Sequence, residues 1–153
     1  MKLQTNTMLA LYSVLEFAAD PARHIPASQI AQKYGVSAHH LAKVLADLTR
    51  AGLIASVRGV GGGYRFVGNA RRTTLLDVIQ IFEDLGPNAA VRGEDRAELA
   101  IDRAMDAVLS EIDEMARATF GSITLSTMLR LIERHEGTPQ AAVAAAGLVE
   151  AEV

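Results

Sequence analysis

The sequence predicts a mainly α-helical protein with a small β-hairpin wing, in which a winged helix-turn-helix domain precedes a long dimerisation helix. Three observations indicate this fold. Two short amphipathic segments form a helical pair over residues 26–54. A glycine-rich loop between two β-capable runs follows at 53–67, and an apolar heptad pattern occupies 101–119.

An N-terminal helix and the helical pair form the predicted core. The first helix covers residues 4–19, where apolar side chains share one stripe that packs on the pair. Gly35 permits a sharp turn within the pair, and Ser37 is expected to cap the second helix. Apolar residues that recur with helical periodicity are expected to be buried: Ile30, Tyr34, Val36, Leu41, Val44, Leu45 and Leu48.

The second helix of the pair is the predicted DNA-reading element. Its first turn is expected to face away from the core, and this turn of a recognition helix reaches base edges in the major groove. For the two adjacent histidines, a solvated helix start without a ligand is the alternative interpretation. The residues predicted to contact DNA are Ser37, Ala38, His39, His40 and Lys43.

A β-hairpin wing is predicted from the strand-like runs at 53–57 and 64–67. The loop between them contains four glycines in five residues, so it can approach a phosphate backbone or enter the minor groove. An ordinary hairpin loop and a nucleotide cradle are alternatives. The cradle is disfavoured because the Lys and Ser/Thr of a P-loop are missing. The predicted wing contacts with DNA are Arg58, Gly61, Gly62, Gly63 and Tyr64.

A further helix is predicted between the wing and the acidic half of the chain. Thr74 and Asp77 resemble a capping box, and the helix that they open is expected to reach about Leu85. Residues 86–93 are then a loop. After the long helix, a last helix is predicted over 124–135.

The long helix is predicted over residues 94–119 and carries apolar residues at alternating spacings of four and three, as in a coiled-coil seam. Packing against its own domain is the alternative to dimerisation. The predicted dimer contacts are Ile101, Met105, Val108, Ile112 and Met115. These elements divide the chain into a DNA-binding domain (1–85), a loop with the dimerisation and terminal helices (86–136) and a disordered tail (137–153).

Charge is distributed unevenly along the 153 residues. Residues 1–80 carry nine Lys and Arg against four Asp and Glu, whereas 81–153 carry six against fourteen, which gives the net charge of −3. This asymmetry is expected when one half meets phosphate. No apolar run approaches the roughly 20 residues of a membrane span, so a cytoplasmic location without membrane contact is expected.

The motifs resemble winged-helix transcriptional regulators of the Rrf-two family, typified by IscR, NsrR and CymR. The resemblance covers residues 1–135 and rests on VSAHHLAKVLADLTRAG, GLIASVRGVGGGYRF and TTLLDVIQIFE. It implies transcriptional regulation, usually repression. It also aligns Ser37, His39, His40 and Lys43 with recognition-helix positions, Arg58 with a minor-groove arginine, and Gly61, Gly62 and Gly63 with the wing glycines.

This chain departs from the family in its ligands for iron. Many members hold an iron-sulfur cluster on three cysteines in the loop before the dimerisation helix, but this sequence contains no cysteine. We therefore expect no cluster, and a regulator that responds to a small-molecule or protein effector. A run of carboxylates follows this loop at the predicted start of the long helix: Glu94, Asp95, Glu98 and Asp102. These carboxylates could bind a hard cation such as Ca²⁺, but stabilisation of the helix start through the helix dipole is the favoured interpretation.

Together, these patterns predict a transcriptional regulator, and specifically a repressor, that binds double-stranded DNA as a homodimer on a palindromic operator. The alternative is a winged-helix protein-interaction module whose main ligand is a partner protein. An enzyme is not predicted, because no Ser-His-Asp spacing is present and the four histidines have no metal-ligand spacing.

Overall fold

Three helices and an antiparallel hairpin form the first half of the chain in the computed structural model, which describes residues 2–85 and 100–137. The predicted loop at 86–93 and most of the predicted tail lie outside the described residues. Mainly helical structure with one hairpin wing confirms the predicted fold class. The elements are α1 (Thr5–Ala19), α2 (Ala27–Tyr34), α3 (Ala38–Arg50), β1 (Ile54–Val57), β2 (Gly63–Phe66), α4 (Leu75–Ile79), α5 (Ala100–Ser122) and α6 (Leu125–Glu136).

Helix α1 lies at the centre of the core and packs against α3, α4, α6 and β2. Its side chains Val14 and Phe17 have no exposed surface. The apolar stripe predicted for the helical pair is buried in the same core, except that Tyr34 and Val36 are half-buried. The other fully buried large side chains are Leu9, Ile30, Leu41, Val44, Leu45, Leu48, Ile54, Val78, Ile79 and Leu125.

The turn between α2 and α3 has the predicted local chemistry. Gly35 takes a left-handed conformation with φ +63°, and its N–H donates back to the last turn of α2. The Ser37 hydroxyl accepts the N–H of His40 at 3.1 Å, which confirms the predicted N-cap. These contacts fix the start of α3 relative to α2.

Strands β1 and β2 pair antiparallel, with Ile54 opposite Phe66 and Val57 opposite Gly63. A third segment joins this hairpin. Ile25, just before α2, donates its N–H to the Tyr64 carbonyl at 2.9 Å and accepts the Tyr64 N–H at 2.8 Å. The hairpin is therefore tied by its backbone to the connection between α1 and α2.

Helix α4 is shorter than predicted. The capping box is confirmed, because Thr74 Oγ1 accepts the Asp77 N–H and an Asp77 carboxylate oxygen accepts the Thr74 N–H. The prediction that the helix continues to about Leu85 is wrong, since the α-helix ends at Ile79. Ile81 and Phe82 both pack on the core, and their N–H groups bond to carbonyls three residues back. The chain therefore continues past α4 in tighter turns whose side chains still contact the core.

Helices α5 and α6 differ in how they meet the core. The described part of the long helix begins at Ala100, so residues 94–99 of the predicted helix lie outside the described residues. The predicted domain division placed α6 with α5, in residues 86–136. In the structure α6 packs on α1, and its Leu125 is fully buried. The Leu125 N–H also donates to the Thr73 carbonyl at 2.9 Å. Within the described residues, no helix is long and apolar enough to cross a membrane.

Replacing Leu125 with alanine should destabilise the whole folded unit by about 2–5 kcal/mol, because it leaves a cavity in a core that α6 shares with α1. Urea unfolding at fixed protein concentration measures the free energy of unfolding. Arg130→Ala, an exposed change on the same helix, is the control and should stay within about 0.5 kcal/mol of the wild type. Equal stability of the two variants would show that α6 is not part of the core.

Candidate nucleic-acid interface

The first turn of α3 presents an exposed polar face. Ser37, Ala38, His39 and Lys43 are exposed, while the opposite side of the helix is buried in the core. The N-terminus of a helix also offers unpaired N–H groups and a partial positive charge to a phosphate. The predicted reading residues are thus placed on the solvent side, except for His40.

His40 is half-buried and makes a contact that the sequence did not predict. Its Nε2 hydrogen-bonds the side-chain carbonyl oxygen of Asn6, at the start of α1. Asn6 is itself exposed and therefore adds a polar side chain to the face formed by the first turn of α3. No local pattern could indicate this pair, because its members lie 34 residues apart in the sequence.

The wing tip is a tight turn that exposes two contrasting side chains. Gly59 and Gly61 have φ values of +100° and +75°, which favour glycine, and the Gly62 N–H donates to the Gly59 carbonyl at 3.0 Å. Arg58 and Val60 both extend into solvent at this turn. A protruding arginine on a narrow tip suits insertion into a minor groove.

Three other residues that were predicted to contact DNA pack within the protein itself: Gly62, Gly63 and Tyr64. A Cβ on Gly62 would lie 2.3 Å from the Val57 carbonyl oxygen, and one on Gly63 would lie 2.6 Å from the Ile25 carbonyl. Tyr64 is half-buried, with its ring centroid 6.1 Å from that of Phe17. These contacts give Gly62, Gly63 and Tyr64 a role in building the wing and docking it on α1, whereas a DNA contact for them stays a prediction.

The exposed Lys and Arg side chains of residues 1–80 differ in whether an acidic side chain of the protein already neutralises them. Arg50 pairs with Asp47 on α3, and Lys33 pairs with Glu16 of α1, so both already have an acidic partner. In contrast, seven exposed cations of this half form no ion pair with any described residue: Lys2, Arg23, Lys43, Arg58, Arg65, Arg71 and Arg72. Cations without an internal partner are the ones that phosphate oxygens can neutralise.

A second exposed surface runs along α5. The five predicted dimer residues are between 48% and 69% exposed, and no residue of this helix is fully buried. Leu109 is also 48% exposed beside them, and the heptad pattern missed it because it lies next to a seam position. We call the surface formed by these six residues the α5 face: Ile101, Met105, Val108, Leu109, Ile112 and Met115.

The other side of α5 contacts the segment that follows α4, at residues 84 and 85. Arg117 donates from Nε to the Leu85 carbonyl at 3.0 Å and pairs with Asp84 at 3.5 Å. Helix α5 also packs against α4. These contacts orient the α5 face away from its own core.

Comparison with known proteins identifies close relatives. A family model named Rrf2, with the description Iron-dependent Transcriptional regulator, matches residues 3–131. BadM from Rhodopseudomonas palustris, named as an HTH-type transcriptional regulator, is 50% identical over 133 residues, which are 87% of this chain and 84% of BadM. Both matches include the helical pair, the wing and α5.

Solved structures show the same fold. CymR of B. subtilis, described as the global cysteine regulator of that organism, superposes with a TM-score of 0.70 at 26% identity. The match covers 86% of this chain and 98% of CymR. T. potens IscR superposes with a TM-score of 0.68 over 90% of this chain and 93% of IscR, and at 23% identity it shows the fold alone.

Because the family is described as iron-dependent, the residues that could bind an iron-sulfur cluster matter in this chain. An iron-sulfur cluster of the usual type needs cysteine thiolates, and none of the 153 residues is cysteine. Residues 2–85 and 100–137 bring no three His, Asp or Glu side chains together in a metal-binding group. Three of the four carboxylates considered for a hard cation, Glu94, Asp95 and Glu98, lie outside these ranges. The residues present therefore do not fit a cysteine-ligated cluster.

Gly63→Ala should lower the free energy of unfolding by more than about 2 kcal/mol, because the added Cβ meets the Ile25 backbone and φ at this position is +146°. Gly61→Ala is the matched control. It has a left-handed φ but open space around the Cβ, so it should cost only about 1 kcal/mol. Chemical denaturation of both variants measures the difference, and equal losses would contradict the docking role of Gly63.

Proposed function

This chain belongs to the Rrf2 family of transcriptional regulators, which are not enzymes, and we propose that it is a repressor that binds a palindromic operator as a homodimer without an iron-sulfur cluster. Two features support this proposal: the exposed first turn of α3, and a wing on which Arg58 and Arg65 form no ion pair with any described residue. Binding to chromosomal DNA would place the protein in the cytoplasm.

DNA recognition would combine two kinds of contact. In the first two turns of α3, His39 and Lys43 are the exposed side chains with groups that can hydrogen-bond base edges in the major groove. Arg58 would enter the minor groove from the wing tip, and Ser37 with Asn6 would contact phosphate. The base contacts supply sequence preference, whereas the phosphate contacts supply affinity that falls with salt.

A second copy of the chain is the proposed partner of the α5 face. Six large apolar side chains, each about half exposed or more, lie along one helix. Burying such side chains is worth roughly 1.5–3 kcal/mol each when burial is complete, which favours association. A two-fold pair would also align two α3 helices with half-sites roughly 34 Å apart, as a palindrome requires.

Control by a means other than a cluster follows from the absence of thiolates. The family's described iron dependence then does not extend to this chain through cysteine ligands. Repression would result from operator occupancy alone, and an effector would act by changing the affinity for the operator. In vitro transcription from the chain's own upstream promoter tests the direction of control, since added protein should lower the transcript yield.

Arg58→Ala should weaken binding to the operator and reduce the slope of log affinity against log salt by about one unit, because one groove or phosphate contact is lost. Fluorescence anisotropy at several salt concentrations measures both quantities. Arg130→Ala on α6 is the matched arginine control and should leave the slope unchanged. An unchanged slope for Arg58→Ala would remove the wing from the interface.

The double variant Val108→Glu/Ile112→Glu should raise the dimer dissociation constant by at least about a hundredfold, because it places four carboxylates in one apolar contact. Sedimentation equilibrium measures the association. Glu114→Lys, on the opposite side of α5, is the control and should remain dimeric. A double variant that associates like the wild type would exclude the α5 face as the dimer contact.

A further inference from the structure

A cleft lies between α1, the end of α2 and α6, and its lining includes no residue of α3 or of the wing. Its volume is about 550 Å³, within the range of small-molecule sites in proteins. Its apolar lining comes from Leu15 and Ala19 of α1 and from Leu129 and Ile132 of α6. The cleft therefore has the size and the apolar wall that an organic ligand of drug size requires.

Two tyrosines form an aromatic wall in this cleft. The rings of Tyr12 and Tyr34 stack with centroids 4.9 Å apart and planes within 7° of parallel. Tyr12 remains 40% exposed, so part of the stacked pair is accessible. An exposed aromatic face is a favourable surface for a flat ring or for a cation.

The charge on Glu16 is already matched within the cleft. Its carboxylate accepts the Tyr34 hydroxyl at 2.5 Å and pairs with Lys33. Burial alone would raise the pKa of Glu16, but the hydrogen bonds from Lys33 and Tyr34 outweigh it and hold the pKa below its ordinary value. Glu16 and Lys33 thus form a neutral, internally satisfied pair.

Two further carboxylates in the cleft have no cationic partner among the described residues. Glu133 and Glu136 lie one turn apart on α6, line the cleft and form no ion pair with any described residue. With Glu16 and Lys33 included, the lining carries three carboxylates and one ammonium, a net charge of −2. The unmatched charge is negative and is located on the α6 side.

We propose that this cleft binds a planar organic cation, such as a protonated or quaternary aromatic amine, with its ring on Tyr12 and its charge near Glu133 and Glu136. An organic anion fits less well, since it would have to displace Glu16 from Lys33 and lie beside two carboxylates. Aromatic stacking and charge attraction at one site favour the cation.

The position of the cleft connects ligand binding with DNA binding, and this step rests on the proposed function. Tyr34 is the last residue of α2, directly before Gly35 and the Ser37 cap of α3. Helix α6 forms the other wall. A ligand that contacts both walls would change the position of α2 relative to α6, and with it the start of α3.

Calorimetric titration of the DNA-free, full-length protein with N-methylquinolinium tests the site, and naphthalene-1-sulfonate is the matched bicyclic anion. The cation should bind and the anion should not at the same concentrations. Tyr12→Ala and Glu133→Gln/Glu136→Gln should each weaken cation binding by about tenfold. Tyr12→Phe, which keeps the ring, and Glu114→Gln, outside the cleft, should bind like the wild type.

Absence of cation binding, or equal affinity in all variants, would overturn the site, and preferential binding of the anion would overturn its charge. A second titration measures operator affinity with and without N-methylquinolinium. The affinity should change by about fivefold or more in the wild type but not in Glu133→Gln/Glu136→Gln. Operator affinity without the cation tests the proposed function separately, because it does not depend on the cleft.

Discussion

Burial of α1 is the constraint on which the other elements depend. Four elements pack on it: helix α3, strand β2 of the wing, the short helix α4 and helix α6. Phe17 illustrates this, since its fully buried side chain faces Tyr64 of the wing. A helix buried on several sides fixes the relative positions of α3 and the wing, so their side chains can meet one DNA surface without first ordering a loop.

Local chemistry explains what could be predicted from the sequence. The Ser37 cap, the Gly35 turn and the Thr74–Asp77 capping box each depend on residues a few positions apart, and all are present. Contacts between distant segments could not be predicted in this way. The sequence therefore showed neither the Asn6–His40 hydrogen bond nor the contact of Gly63 with Ile25 that makes this glycine structural. The end of α4 at Ile79 was not predicted either, because no local signal in the sequence marks it.

Apolar surface is distributed in two different ways in this chain. Around α1 it is buried within one chain, whereas on α5 it stays exposed in a single copy. The heptad spacing predicted which residues form the exposed stripe. It did not predict that Arg117, on the other side of α5, donates a hydrogen bond to the Leu85 carbonyl. An exposed apolar stripe next to a domain with unpaired surface cations is consistent with a regulator that binds DNA as a pair. Under the proposed function, control of this cysteine-free chain would come from ligands of another kind, and the cleft beside Tyr12 is the proposed site for one of them.

Sequence-specific DNA binding by this chain without a metal centre can be measured in a salt-dependent titration of chelator-treated protein. The protein is titrated against its own upstream DNA and against a scrambled duplex of equal length. We expect clear preference for the upstream DNA, with affinity that falls steeply as salt rises. Equal, weak binding to both duplexes would contradict it, because it would show that the exposed face of α3 does not read sequence in this protein.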